Sequence, residues 1–60
     1  MAHISKEKAQ SLAVAYSAYN EALNENNANS IWVWASMLRK AQKATGVELV
    51  RDEHLEKELA

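Results

Sequence analysis

Cysteine, proline and phenylalanine are absent from these 60 residues, and glycine occurs once. Without cysteine there is no disulfide and no thiolate metal site, and a cytosolic setting is compatible. A chain this short buries only about 60% of the surface its unfolded form exposes. Small domains therefore lean on disulfides, a metal or a second subunit. The absence of proline, with a single glycine and abundant alanine, predicts an all-helical fold. No apolar run approaches the ~20 residues of a membrane span. The longest, Ile31–Leu38, contains Ser36. The first residues lack the charged-then-apolar layout of a signal peptide, so a cytoplasmic protein is expected, with no membrane partner.

What is present is apolar enough for a core: 48% of the residues are hydrophobic, which argues against disorder. The run Ile31-Trp32-Val33-Trp34 holds both tryptophans, two residues apart. On a helix they point about 200° apart. One small chain can hardly bury both faces of such a helix, so a partner chain is expected. The net charge of −1 is unevenly spread. Lys6, Lys8, Arg39, Lys40 and Lys43 outnumber Glu7, Glu21 and Glu25 in the body. Glu48, Asp52, Glu53, Glu56 and Glu58 outnumber Arg51 and Lys57 in the tail. That tail either docks on the basic end of the body, in the same or a neighbouring chain, or stays solvated.

A first helix is predicted over about 5–24. Ser5 suits its N-cap and Glu7 its positive end, with Ile4 placed to pack on Ala9 as a staple. Ala9, Leu12, Tyr16, Tyr19 and Leu23 follow at spacings of 3, 4, 3 and 4, a helical stripe. Beside it run Ser11, Ala15, Ala18 and Ala22, small enough to admit another helix closely. Four asparagines between Asn24 and Asn29 read as a helix stop and restart. So short a linker makes antiparallel neighbours of the flanking helices. The second helix is predicted over about 30–45, capped by Asn29 or Ser30. Its stripe is Ile31, Trp34, Leu38, Ala41 and Thr45, with Val33 and Met37 on one flank and Trp32 and Ala35 on the other. Gly46 stops it. Val47-Glu48-Leu49-Val50 reads as an extended connector, and a short third helix over about 52–59, capped by Asp52, carries Leu55 and Leu59 on one line.

The chemistry is sparse. His54 and Glu58 share a helical face, but two ligands do not make a zinc site, and no cofactor is expected. The hydroxyls have no neighbouring base, and no carboxylate stands alone in an apolar stretch. A bundle this small leaves little room for a ~300 Å³ pocket. Neither enzyme activity nor a small-molecule substrate is expected. The stretch from Ala41 to Val50 has a faint helix-turn-helix look, with Gly46 at the turn. Its third helix, however, would turn Asp52, Glu53, Glu56 and Glu58 towards phosphates. Nucleic acid is thus an unfavoured partner, and any contact is expected through Arg39, Lys40 and Lys43.

The segment Trp34-Ala35-Ser36-Met37-Leu38-Arg39-Lys40-Ala41-Gln42-Lys43-Ala44-Thr45-Gly46-Val47-Glu48-Leu49, closing with His54-Leu55-Glu56-Lys57-Glu58-Leu59-Ala60, resembles a family of roughly sixty-residue proteins from lambdoid phages. That family is encoded in the early region between the exonuclease and excisionase genes. The likeness covers about residues 30–60. It implies an accessory protein made early in the bacterial cytoplasm, acting on host physiology or on the developmental choice. It supplies no site residues.

These readings give an all-α antiparallel helical hairpin with a short C-terminal helix, assembling as a homodimer. Ile4, Leu12, Tyr16, Tyr19, Leu23, Ile31, Trp34, Leu38 and Leu55 are expected in the core. Trp32, Val33, Met37 and the line Ala15, Ala18 and Ala22 are expected at the dimer or partner interface. The function expected is non-enzymatic binding of an unidentified protein, with a small DNA-associated regulator as the alternative.

Overall fold

A computed structural model describes residues 5–60. Three helices are present: α1 (Lys6–Glu25), α2 (Ala28–Thr45) and α3 (Asp52–Leu59). No strand occurs among the described residues. The first two pack as an antiparallel hairpin, and α3 folds back on α2.

Local chemistry sets each boundary. Ser5 is extended, and its Oγ accepts the Lys8 N–H at 3.2 Å, which satisfies a free donor of the first turn. At the other end Asn26 takes the left-handed conformation, φ 56°. Asn27 then donates its N–H to the Ala22 carbonyl at 3.2 Å, as in a Schellman closure. Asn27 is itself extended, and its Oδ1 accepts the Ser30 N–H at 3.2 Å. Adjacent asparagines thus stop one helix and start the next. The second helix consequently begins two residues earlier than expected, with Asn29 and Ser30 inside its first turn rather than capping it. Gly46, at φ 76°, ends α2 and donates to the Gln42 carbonyl at 2.8 Å. The third helix has the expected span, but Arg51 occupies its N-cap without a side-chain bond. Asp52, inside the first turn, turns to Arg39 instead.

The core is Leu12, Ala15 and Tyr19 from α1, Ala35 and Leu38 from α2, and Leu55 from α3. Ile31, Trp34, Ala41, Val47, Val50 and Leu59 pack against it, partly buried. The buried line on α1 is Leu12, Ala15, Tyr19 and Ala22, rotated from the expected stripe. Tyr16 and Leu23 are therefore exposed, a correction to the expected core. The short α3 packs mainly on α2, away from Tyr16 and Leu23. The expected place of Ile4 lies outside the described residues. In the connector Val47 and Val50 tuck inward and Leu49 remains exposed.

Candidate interaction surface

Alanines build the seam of the hairpin. Ala15 and Ala22 are buried within the chain, and Ala18 is half-buried beside them. This corrects the expectation that Ala15 and Ala22 face a second subunit. Small side chains let α1 and α2 approach closely, so the line is consumed inside the hairpin. One side of the seam remains open as a groove, lined from α1 by Glu7, Gln10, Ser11, Val14 and Ala15. From α2 it is lined by Trp34, Met37, Lys40, Ala41 and Ala44. Its volume of 660 Å³ exceeds what was expected of so small a bundle. Two helices supply a floor and two walls but no roof, so it is a trough rather than a closed pocket.

The exposed apolar side chains fall in two places on α2. Met37 is 49% exposed at the groove, and Val33, four residues earlier, shares its side of the helix. Trp32 is 57% exposed, five residues from Met37 and so about 140° away around the axis. Trp34 is half-buried against the core and walls the groove. The two indoles therefore have different surroundings, as their spacing required. Val14 on α1 is 59% exposed at the groove. The sequence reading missed it, although it falls between Ser11 and Ala18 at spacings of 3 and 4, on the small-residue line.

The charged residues are dispersed. Arg39 donates from Nε to Asp52 Oδ1 at 3.0 Å and from Nη2 to Glu56 Oε1 at 2.9 Å. The acidic tail thus docks on the basic end of its own chain. Lys40 faces the groove, and Lys43 lines a separate hollow with Arg39, Glu48 and Asp52. The three lie on neighbouring positions of α2, and of them Arg39 is held by two carboxylates. His54 Nε2 lies 3.8 Å from Glu58 Oε1. No group of three or more side chains able to hold a metal occurs among the described residues. No described helix is long and apolar enough to cross a membrane.

Gln42 was not anticipated. It is only 6% exposed and its amide bonds the connector: Nε2 donates to the Val50 carbonyl at 2.9 Å, and Oε1 accepts from Leu49 N and Val50 N at 2.8 Å each. Tyr19 is also buried, and its hydroxyl has no hydrogen-bond partner among the described residues. Burial, and secondarily the nearby Glu58 carboxylate, push its pKa above the ordinary 10.0. No protein-family model, curated protein or solved structure matches the chain.

Proposed function

We propose that this chain is a non-enzymatic helical interaction module that binds another protein and assembles as a homodimer. The observation that carries the reading is the apolar surface left on α2, with Trp32, Val33 and Met37 all exposed. Val33 and Met37 share one side of α2 and Trp32 stands on another; exposed apolar side chains of this size favour association, and tryptophan is prominent among residues that dominate binding energy. The sparse site chemistry points the same way. The resemblance noted above suggests the setting: a phage accessory protein in the bacterial cytoplasm, acting through a host or phage protein. A DNA-associated role is disfavoured, because Arg39 is engaged by two carboxylates.

Parallel affinity captures from bacterial lysate, with wild type and Trp32→Ala as baits, test the reading. The expected result is a protein retained by wild type and lost with Trp32→Ala at unchanged helical content. Identical captures from the two baits, or none from either, would overturn it.

A further inference from the structure

The contact of α3 with the hairpin has the form of a bound peptide. The helix has eight residues, too few to be stable in isolation. Leu55 is fully buried and Leu59, four residues on, packs beside it. Asp52 and Glu56, also four apart, meet Arg39 at 3.0 Å and 2.9 Å. Two leucines and two carboxylates on one short helix are thus read by a receptor face on the hairpin. The fastening is light. Arg51 at the N-cap makes no side-chain bond, and both ion pairs are partly solvated. Gln42 grips the connector at Leu49 and Val50, upstream of the helix, so α3 can lift while its tether stays in place.

The receptor face is longer than its occupant. Trp32, Ser36, Arg39 and Lys43 follow one another at spacings of 4, 3 and 4, on one side of α2. They span about 16 Å along the axis, against about 12 Å for the whole of α3. Of the two cations, the carboxylates of α3 engage Arg39 alone, and Lys43 is exposed one turn beyond it. Trp32, two turns before Arg39, is 57% exposed. An indole at one end and two cations at the other complement a helix that carries apolar and acidic side chains. Asp52, Leu55, Glu56 and Leu59 already show that this chemistry is accepted.

We infer that α3 is a built-in stand-in for a helix of the partner protein: an acidic amphipathic helix displaces α3, takes its place on Arg39 and at the sites of Leu55 and Leu59, and continues past it onto Trp32. This inference rests on reading the chain as an interaction module and names the chemistry of its partner. A tethered helix competes at an effective concentration in the millimolar range. The apparent affinity of the incoming helix is therefore its intrinsic affinity reduced by the fraction of chains with α3 lifted. The contact with Trp32, which α3 is too short to make, gives the longer helix its advantage.

Fluorescence anisotropy of the full chain with labelled peptides tests this. The short probe is residues 47–60. Asp52→Ala/Glu56→Ala in the chain loosens α3 and leaves the receptor face intact, so it should bind this probe about fivefold more tightly than wild type. Glu53→Gln should match wild type. Adding Arg39→Glu to the loosened chain should weaken binding about tenfold, and a probe with Asp52→Lys and Glu56→Lys should recover most of that loss. The long probe is residues 52–59 followed by 53–59, which keeps its leucines at spacings of 4, 3 and 4 whichever half sits on Arg39. It should bind more tightly than the short probe, and Trp32→Ala should remove that gain while leaving the short probe unaffected. Circular dichroism of each variant checks that the hairpin is folded. A loosened, folded chain that ignores the short probe, binding indifferent to Arg39→Glu, or a long probe indifferent to Trp32→Ala would each overturn the inference. A lysate protein whose capture needs Trp32 but resists excess long probe would leave the module reading standing while this one falls. Probe binding as expected, with no Trp32-dependent capture, would do the reverse.

Discussion

Gln42 holds both backbone polar groups of Val50: its Nε2 donates to the carbonyl at 2.9 Å and its Oε1 accepts the N–H at 2.8 Å. The same Oε1 accepts the Leu49 N–H. The connector between α2 and α3 has no ladder of its own, and polar backbone turned towards a core must find partners. A single side chain on α2 supplies them. It thereby fixes where α3 begins and lets Leu55 reach the core.

Replacing Gln42 with Leu keeps the volume and removes three hydrogen bonds, leaving the groups on Leu49 and Val50 without a partner. The expected cost is about 1–3 kcal/mol, and in a domain of this size each kcal/mol lowers the Tm by roughly 4–8 °C. Urea denaturation measures the loss. Native-state hydrogen exchange locates it, with Leu49 and Val50 amides expected to lose protection before those of α1. Unchanged protection at both amides would show that the connector is held by something else.

Arg39 is the second fastening of α3, and a weaker one. Its two contacts reach different carboxylates, Asp52 and Glu56, and all three side chains are partly solvated. Exposed pairs of this kind contribute about 0.2–1 kcal/mol each and are screened by salt. Wild type should therefore lose up to about 1 kcal/mol of stability between low salt and about 1 M NaCl, relative to Arg39→Gln. Denaturation curves for the two chains at both salt concentrations give the difference directly. Parallel salt dependences would mean that these ion pairs do not hold the helix.

Local caps and one-face periodicity were legible in the sequence. The glycine stop at Gly46, the Ser5 cap and the spacing of Leu12, Leu38 and Leu55 each act through local geometry or one helical face. The asparagine cluster announced a break, but Asn26 and Asn27 divided stop and start because their backbone conformations differ, which composition does not encode. The rotation of α1 was hidden for another reason. Ala15 and Ala22 look weaker than Tyr16 and Leu23 as core residues, yet a close helix pair selects small side chains at its seam and turns larger ones aside. At the candidate site, the exposure of Trp32, Val33 and Met37 was readable from an apolar run too wide for one face. The roles of Val14 and Gln42 were not, because each depends on what a second element places opposite it.

The two tryptophans separate stability from binding. Trp34 packs against the core while Trp32 is 57% exposed. Trp34→Ala should destabilise the chain by about 2–4 kcal/mol, somewhat below or within the range for a fully buried indole. Trp32→Ala should stay within about 0.5 kcal/mol of wild type, as surface changes do. Thermal and urea denaturation of both variants checks this. A large loss with Trp32→Ala would place its indole in the folding core instead of on a binding surface.

Tyr19 carries a cost that can be removed. Its ring fills the core, but its hydroxyl is buried without a partner among the described residues. Tyr19→Phe deletes only that hydroxyl, so near neutral pH the variant should be as stable as wild type or more stable by up to about 1 kcal/mol. Alkali sharpens the contrast. Burial first, and Glu58 second, raise the folded-state pKa of Tyr19 above 10.0. The unfolded chain releases this proton from its ordinary pKa upwards while the folded chain retains it. The contribution of the group is then fully present below about pH 10 and is lost as pH rises through the folded pKa. Wild type should therefore lose more stability than Tyr19→Phe above pH 10, and Glu58→Gln should lower the folded pKa of Tyr19. Denaturant titrations at stepped pH, with phenolate absorbance followed in parallel, resolve both effects. Identical alkaline profiles for wild type and Tyr19→Phe would mean that the phenol reaches solvent before the fold opens.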